Sequence, residues 1–378
     1  MTVSMCKYPP GKSSGIAGEQ TIEHISRNCD ECGRCLGECA FLQRHGTPGR
    51  IAGRYLAGSA DLLPAAFSCS LCGLCEERCP QDLPMAGMFL ELRRRAVREG
   101  RGRFKEHLPL LWFEALGGSA LLAGYFLPAG CTTVFFPGCA LPGIRPHETY
   151  RLFRLLQKRI PKLGLVFDCC SKPSHDLGLE NRFKEKFSKI MMVMQDRGVK
   201  KIITACPSCL QIFRRYGEDL ETEVVYTLLA EYEFGRQDSV GLRYTLHDPC
   251  TVRFDPDIHR AVRQLIGSIG LPFTEMAHNR ATTFCCGEGG AAICLNGGRD
   301  LGWRGKRLAE AGDQSLVTYC AGCTSTLASG HTYHLFDLLL ASPGRYERAP
   351  KAVKPPFTYL NRLYLKLKMK VLYLLGRW

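Results

Sequence analysis

The distribution of cysteine along the chain is the feature that most limits how this sequence can fold. The 378 residues contain 21 cysteines, and most of them stand at C-x2-C spacing. Two early runs share the pattern C-x2-C-x2-C-x3-C, with Cys29, Cys32, Cys35 and Cys39 in one and Cys69, Cys72, Cys75 and Cys79 in the other. The N-terminal residues contain no apolar signal segment, so we expect no export and a reducing compartment. In such a compartment closely spaced thiols bind metal or carry redox chemistry.

The spacing of the two runs is typical of chains that bind two [4Fe–4S] cubane clusters. Three closely spaced thiolates occupy three corners of a cube, whereas the fourth cysteine faces away and ligates the other cluster. We therefore predict one cluster on Cys29, Cys32, Cys35 and Cys79, and the other on Cys69, Cys72, Cys75 and Cys39. A pair of zinc sites is the alternative, but zinc motifs usually come as two separate pairs of cysteines.

The residues around these runs are helical in pattern. Residues 40–68 separate the runs, and the amphipathic stretch MAGMFLELRRRAVREG follows Pro84. We predict an α-helical two-cluster ferredoxin domain over residues 20–105.

A second cysteine pattern occurs twice in the rest of the chain. It consists of a single cysteine, an adjacent pair after 29 or 34 residues, and a C-x2-C motif after a further 35 or 33. Its members are Cys139, Cys169, Cys170, Cys206 and Cys209, and then Cys250, Cys285, Cys286, Cys320 and Cys323. A disulfide between adjacent residues is a poor explanation of the pairs, because neighbouring Cα atoms lie ~3.8 Å apart and an unstrained bridge spans ~4.4–6.8 Å.

The cysteines of this repeat follow short apolar runs that alternate with amphipathic stretches. TVFF, GLVFD and KKIITA precede them in the first block, and RYTLHD, RATTF and SLVTY in the second. Alternating strands and helices predict parallel sheets, in which sites form beyond the carboxyl ends of the strands. We expect a duplicated α/β domain over 131–240 and 241–342, with five thiols converging in each copy. The whole chain is then a multidomain α+β protein.

The two runs and the repeated pattern together resemble the cysteine-rich (CCG) proteins typified by the D-type subunit of heterodisulfide reductase. Relatives of that type include iron–sulfur subunits of anaerobic glycerol-3-phosphate dehydrogenase and glycolate oxidase. The resemblance covers residues 25–340 and implies two [4Fe–4S] cubanes that feed electrons to the cysteine-rich domains. In heterodisulfide reductases five such cysteines hold a non-cubane [4Fe–4S] cluster that cleaves a disulfide, and all ten cysteines of the repeat match those ligands.

One position departs from the family signature, in which glycine follows the adjacent cysteine pair. Gly287 fits the signature in the second block, but Ser171 replaces glycine in the first. For the first site, a full cluster, a cluster of another type, a zinc ion and no metal all stay open.

Other residues near the cysteines have two interpretations each. The CPSC motif at Cys206 and Cys209 alone would suit a thioredoxin-like dithiol, but the matching CAGC motif favours cluster ligation. Five polar residues are either donors and proton carriers for the sites or loop-capping groups, which we favour: His175, Asp176, His247, Asp248 and Glu288. Three cysteines fit no ligand pattern: Cys6, Cys131 and Cys294.

Residues 108–130 form the one stretch long enough to cross a membrane, but Glu114, Gly117 and Gly118 interrupt it. A crossing would place the two cysteine regions on opposite sides of the bilayer and separate redox centres that must exchange electrons. We therefore predict a linker helix over 106–130.

The net charge of +14 is concentrated at the C-terminus. Residues 345–378 carry nine Lys or Arg and one acid, so the charge gives no reason to expect nucleic-acid binding. In the basic amphipathic tail over 343–378, Arg362, Lys366, Lys370 and Arg377 share one side of a helical wheel, apolar residues cover most of the rest, and Lys368 breaks the pattern. Such a tail suits an anionic membrane surface or a partner subunit, and both stay open.

These features predict a cytoplasmic iron–sulfur electron-transfer subunit of an oxidoreductase complex, either free of the membrane or peripheral on its inner face. No flavin- or nicotinamide-binding fingerprint is evident, so we expect a partner such as a flavin dehydrogenase and a quinone or other carrier as acceptor. A catalytic thiol–disulfide reductase and a zinc-stabilised interaction protein are the alternatives.

Overall fold

The computed structural model describes residues 18–235, 242–295, 302–340 and 349–378. The first part of the chain is helical, as predicted. Its helices are α1 (Glu19–Asn28), α2 (Ala40–His45), α3 (Pro48–Leu56), α4 (Leu62–Ala65), α5 (Leu74–Glu77), α6 (Met85–Arg98) and α7 (Leu108–Gly117). Short 3-10 turns lie at Ala66–Ser68 and Lys105–His107. In α6, Met85, Met88, Phe89 and Leu92 recur at helical spacing and are buried against α1 and α4.

The next part, the first α/β unit, forms a five-stranded sheet within the described residues. Its strands are β1 (Gly124–Phe126), β2 (Thr133–Phe136), β3 (Gly164–Phe167), β4 (Lys201–Thr204) and β5 (Glu221–Val224), in the order β1-β3-β2-β4-β5. Its helices are α8 (Leu141–Ile144), α9 (Pro146–Gln157), α10 (Lys172–Asp176), α11 (Glu180–Asp196), α12 (Pro207–Tyr216) and α13 (Val225–Leu229). Only β1 pairs antiparallel; the other described pairs are parallel.

The second α/β unit repeats this topology without the antiparallel strand. Its described strands are β6 (Tyr244–His247), β7 (Phe273–Glu275), β8 (Ser315–Thr318) and β9 (Thr332–His334), in the order β7-β6-β8-β9. Its helices are α14 (Pro256–Ser268), α15 (Ala292–Leu295), α16 (Trp303–Ala311), α17 (Ala321–Thr326) and α18 (Leu335–Leu339), with 3-10 turns at Cys250–Val252, Arg280–Thr282 and Gly289–Ala291. All described pairs are parallel. The predicted fold class is confirmed: a helical domain precedes a duplicated α/β domain.

One predicted strand is wrong. RATTF begins with a 3-10 turn. The strand that precedes the adjacent cysteine pair is β7, which ends ten residues before Cys285. The carboxylate of Asp248 accepts the backbone N–H of Arg280 at 2.7 Å. This donor is therefore directed at a side chain and does not pair with a neighbouring strand.

The predicted linker helix over 106–130 is shorter than expected. The helix α7 ends at Gly117, and β1 then joins the first sheet by pairing with β3. Glu114, which interrupts the apolar stretch, is fully buried and accepts the N–H and O–H of Ser174 at 2.7 Å each. Among the described residues, no helix has both the length and the apolar character needed to cross a membrane.

The two α/β units share one hydrophobic core, in which α13 packs on α14. A buried ion pair crosses the same boundary, with Arg145 Nε 2.5 Å from Asp337 Oδ1. The Tyr226 hydroxyl also donates to the carbonyl of Tyr319 at 2.7 Å. The units are therefore packed as closely as the parts of a single domain.

The C-terminal helix α19 (Phe357–Leu374) lies against α8 and β1 and buries Leu365 and Met369. Two of the four cations expected on its basic side, Lys370 and Arg377, are exposed, whereas the other two contact the protein. Arg362 is buried and donates to the carbonyl of Gly117 at 2.9 Å, and Lys366 Nζ donates to that of Ala120 at 2.5 Å. Arg362 and Lys366 cap carbonyls at the end of α7 and just beyond it, a contact that a helical wheel does not represent.

Candidate metal centres

The eight cysteines of the early runs lie in two groups, and each group contains one residue of the opposite run. In the first, Cys35 has Cys29, Cys79 and Cys32 as its thiol neighbours; burial, together with their negative charge, raises the pKa of Cys35 to about 12. Cys79 thus lies with the first run, as the spacing predicts. We call these four residues the first thiol group.

The second thiol group lines a small cavity that is partly open to solvent. Its four cysteines are Cys39, Cys69, Cys72 and Cys75. The remaining lining residues are Phe41, Leu42, Ser70, Leu71, Gly73, Leu74, Ala86, Phe89 and Trp303. Four convergent thiols in an otherwise largely apolar cavity fit the donor set of a cubane cluster. Ligation by these particular residues stays a prediction.

The second thiol group adjoins the second α/β unit. Burial raises the pKa of Cys72 to about 12, and the negative charge of Cys285 adds to the shift. Arg253 fixes this contact, because its Nε donates to the carbonyl of Cys72 at 2.9 Å while another nitrogen donates to that of Thr283 at 2.7 Å. Phe284 and Trp303 pack around the junction.

The five repeat cysteines of the second unit form one connected group, the second-unit site. Cys250 donates to Cys285 across 3.9 Å, and Cys286 lies near enough to Cys285 to shift its pKa. Cys323 is placed in the same way beside Cys286 and Cys320, which completes the set. The backbone N–H of Gly287 points at the Cys285 sulfur at 3.3 Å, and the φ of 104° at this residue favours glycine.

The corresponding five cysteines of the first unit form the first-unit site. Cys169 lies beside Cys139, and Cys209 lies beside both Cys170 and Cys206, near enough for the thiols to shift each other's pKa. Ser171, the departure from the family signature, adopts a left-handed φ of 59° and donates from its hydroxyl to the Cys169 carbonyl at 3.4 Å. The first unit therefore keeps the same local path with serine in place of glycine.

The two sites meet at Cys206 and Cys320, whose thiols are near enough to shift each other's pKa. All ten repeat cysteines thus form one chain of neighbouring thiols, and Cys72 extends it to the second thiol group. Glu288 lies at the junction, where a Cβ on Gly322 would collide with its carboxylate. Burial of this carboxylate and the negative charges of Cys206 and Cys285 raise the pKa of Glu288 to about 7.

Most of the other polar residues singled out in the sequence have structural partners. His175 contacts the Asp176 carboxylate at 2.8 Å and the Tyr216 hydroxyl at 2.9 Å. Asp248 accepts hydrogen bonds from Arg263 and from the Tyr319 hydroxyl. His247 differs, because neither ring nitrogen has a hydrogen-bond partner among the described residues.

Of the unassigned cysteines, Cys131 is buried and donates to the Thr133 carbonyl at 3.2 Å, and Cys294 is half-buried on α15. Neither belongs to the thiol groups. The prediction for Cys6 lies outside the described residues.

Sequence patterns missed Arg93, whose buried guanidinium joins three parts of the fold. It donates to the carbonyls of Ala66, Phe67 and Cys69 in the helical domain, Asp176 in the first unit and Gly290 in the second. Nothing in the sequence distinguishes it from Arg94 and Arg95 beside it.

Comparison with known families agrees with this arrangement. Residues 28–84 match the 4Fe-4S dicluster domain, and residues 133–214 and 244–328 each match the Cysteine-rich domain. The three matches cover the helical domain and the two α/β units.

Three curated proteins illustrate the range of relatives. The chain is 26% identical to a subunit of the Fumarate reductase (CoM/CoB) of Methanothermobacter marburgensis, over 70% of its own length and 59% of that protein. It is 24% identical to EtfAB:quinone oxidoreductase of Syntrophomonas wolfei, over 83% of its own length and 44% of that protein. It is 21% identical to a subunit of the Dihydromethanophenazine:CoB–CoM heterodisulfide reductase of Methanosarcina barkeri, over 82% of its own length and 90% of that protein.

The domain content and these relatives bear out the resemblance that the cysteine patterns indicated. The chain has a 4Fe-4S dicluster domain followed by two cysteine-rich domains, which is the domain content of an iron–sulfur protein, and it is similar to the D-type subunit of heterodisulfide reductase.

Proposed function

We propose that this protein is the electron-transfer subunit of an oxidoreductase complex. Electrons pass between the first and second thiol groups, then through the second-unit site to the first-unit site. The observation that carries the proposal is the packing of Cys72 against the buried cluster that contains Cys285, which joins the ferredoxin part to the α/β units. Iron–sulfur clusters, when bound, supply one-electron carriers at such positions.

The surroundings of this contact suit electron transfer. Phe284 and Trp303 pack apolar surface around the junction, and Arg253 holds the backbone on both sides of it. The protein contributes apolar packing and a fixed geometry at this junction. We infer that the second-unit site receives electrons before the first-unit site, because Cys72 lies beside the second unit.

The printed names of the relatives indicate the kind of complex. They include a subunit of a fumarate reductase, a subunit of a heterodisulfide reductase and an oxidoreductase that acts on quinone. We propose that this chain works with a flavin-containing dehydrogenase or a heterodisulfide-reductase-like partner and delivers electrons to a quinone or another carrier. The complete set consists of two cubanes, a non-cubane [4Fe–4S] cluster in the second unit, and a cluster or a zinc ion in the first.

Anaerobic purification with metal analysis and EPR tests the proposal. We expect at least ~8 irons per chain, since two cubanes alone contain that number. Cys72→Ser should slow reduction of the second-unit site after the first thiol group is reduced, whereas Cys131→Ser should not. Protein that contains zinc and no iron would support the interaction-protein alternative.

A second candidate function is catalytic reduction of a disulfide. The contact of Cys206 with Cys320, with the Glu288 carboxylate beside it, places two sulfur-rich sites and an acid at one junction. Turnover of a small disulfide with a reduced dye as electron donor tests this function. Absence of turnover with every disulfide tried, in protein with full iron content, would exclude it.

We further propose that α19 places the protein on the inner surface of a membrane. Ten of the twelve large apolar side chains that are exposed among the described residues lie on α7, on α19 or next to them. On α19 they form a stripe of Leu360, Tyr364, Leu367, Val371 and Leu374. Residues 349–378 contain no acid, so exposed cations border the stripe and suit anionic headgroups.

Sedimentation of the full chain with vesicles tests the membrane proposal. We expect binding to vesicles that contain phosphatidylglycerol, weaker binding to phosphatidylcholine alone, and loss of binding in Leu367→Glu/Val371→Glu. Met192→Glu, an exposed apolar residue on α11, is the matched control. A double variant that binds vesicles normally but loses a partner or self-association would overturn the proposal.

A further inference from the structure

His247 occupies an unusual environment at the carboxyl end of β6. Its side chain is fully buried, and both ring nitrogens lack a hydrogen-bond partner among the described residues. Buried polar groups almost always have a partner, and an imidazole with two unpaired nitrogens is costly. An unfilled ligand position explains this arrangement.

The nearest groups to His247 are metal-binding ones. A ring nitrogen of His247 and the sulfurs of Cys286 and Cys323 all lie within 4.8 Å of one another, and all three residues are buried. Imidazole nitrogen and thiolate sulfur are the usual protein ligands of iron and zinc. A metal ion bound by these three side chains would supply the partner that the imidazole lacks. The three side chains are also donors that suit iron or zinc.

The first unit shows that this histidine is not required by the fold. Phe136 stands three residues before Cys139 as His247 stands three before Cys250, and both end the first parallel strand of their unit. The strand registers agree, since Phe136 pairs with Thr204 and His247 with Thr318. The first unit thus fills the equivalent position with an apolar ring, which packs edge-on against Phe213 at 5.0 Å.

The same equivalence extends to the neighbouring cysteines. Phe136 belongs to a buried cluster that includes Cys170 and Cys209, the counterparts of Cys286 and Cys323. With a phenyl ring at this place, the first-unit site has only thiol donors. The imidazole adds a nitrogen donor to the second-unit site. The two sites therefore differ in ligand chemistry at this position, independently of Ser171.

We propose that His247 is a nitrogen ligand of a metal in the second-unit site, alongside Cys286 and Cys323, and that the first-unit site has no such ligand. The inference rests on the proposed function in one respect, namely that the second unit binds metal. A neutral imidazole at a ligand position gives an iron–sulfur centre a higher reduction potential than an anionic thiolate at the same position would.

Pulsed EPR on the reduced full chain, purified anaerobically, tests the proposal. We expect a strong nitrogen coupling that changes when the protein is grown with [15N]histidine. It should be absent in His247→Phe, which installs the residue of the first unit, and in His247→Cys, which keeps a ligand but removes the nitrogen. The potential of the centre should fall in His247→Cys. His259→Gln, another buried histidine of the second unit, should keep the coupling.

Metal analysis separates the inference from the function on which it rests. Loss of metal in Cys286→Ser and Cys323→Ser shows that the second unit binds metal; unchanged metal content in both would contradict the proposed function itself. Full metal without a histidine coupling, or the same coupling in His247→Phe, would overturn the role of His247 alone. If the site holds zinc, the inference predicts zinc loss in His247→Phe and retention in His259→Gln.

Discussion

At the scale of single residues, Arg93 carries the densest set of contacts between the parts of the molecule. Its guanidinium has five N–H donors, and it makes five hydrogen bonds to backbone carbonyls of three segments. Lysine cannot reproduce this fork, because its ammonium group is a compact donor with three protons. A single side chain thus connects the helical domain with both α/β units.

We predict that Arg93→Met lowers the free energy of unfolding by about 3 kcal/mol or more, because buried carbonyls lose their donors. Thermal unfolding under anaerobic conditions measures the change. Arg95→Met is the control, since Arg95 makes exposed ion pairs with Glu19 and Glu99 that are worth about 1 kcal/mol or less. Equal effects of the two substitutions would contradict the role of Arg93.

The position after each adjacent cysteine pair gives a second residue-scale prediction. Ser171 bears a left-handed φ of 59° at a cost of about 1 kcal/mol, whereas Gly287 adopts its φ of 104° freely. Ser171→Gly should therefore be neutral or stabilising by up to about 1 kcal/mol, and Gly287→Ser destabilising by about 1–3 kcal/mol. Chemical denaturation of both variants checks the opposite signs, and two changes of the same sign would refute the argument.

At the scale of elements, the buried charge of Glu114 decides whether the apolar helix α7 crosses a membrane or packs on protein. The Glu114 carboxylate accepts hydrogen bonds from Ser174 and from Arg182 at 3.1 Å, and so ties α7 to α10 and α11. Without these partners a carboxylate at this place would be very costly. The helix is therefore built to pack on protein.

We predict that Glu114→Leu destabilises the protein by about 1–3 kcal/mol, although it makes α7 more apolar, because Ser174 and Arg182 lose their acceptor. Unfolding measurements on the variant test this expectation. Glu106→Leu, at an exposed position just before α7, should change stability by about 0.5 kcal/mol or less. A Glu114→Leu protein as stable as the parent would show that the carboxylate has no role in docking α7.

At the scale of the whole molecule, buried neutral histidines predict a loss of stability in acid. Burial lowers the pKa of His107 to about 4, of His175 to about 4 and of His334 to about 3. Each folded-state pKa lies below the unfolded value near 6.5, so the unfolded state binds the proton first. Their contribution to stability is complete above about pH 6.5 and is lost as the pH falls towards the folded values.

We predict that His107→Phe weakens this pH dependence. The ring of His107 packs between Phe67 and Phe104, so phenylalanine fits the same apolar surroundings. Between pH 7.5 and 5.5 the parent should lose about 1 kcal/mol more stability than the variant. Any acid lability of the clusters is common to both proteins, so parallel pH profiles would contradict the prediction.

Much of the architecture follows from patterns along the chain. The x2 and x3 spacings of the cysteine runs, and the repeated order of single, paired and C-x2-C cysteines, already indicate the helical domain and the duplicated parallel sheets. Local periodicity also predicts most strands, because the apolar run of each strand lies within the few residues that precede a cysteine. The strand predicted for RATTF was wrong because the Asp248 carboxylate accepts a hydrogen bond from the backbone N–H of Arg280, which favours a turn.

Tertiary structure alone decided which distant groups meet. The contact of Cys72 with Cys285, the junction of Cys206 with Cys320 and the five bonds of Arg93 join segments far apart in sequence. The helix α19 likewise turns Arg362 and Lys366 towards the protein, because carbonyls at the end of α7 and just beyond it accept them. The sequence by itself determined which thiols belong to each motif, since ligand spacing is local. The order of the motifs in space, and the imidazole beside Cys286 and Cys323, depend on packing between segments, which no local pattern encodes.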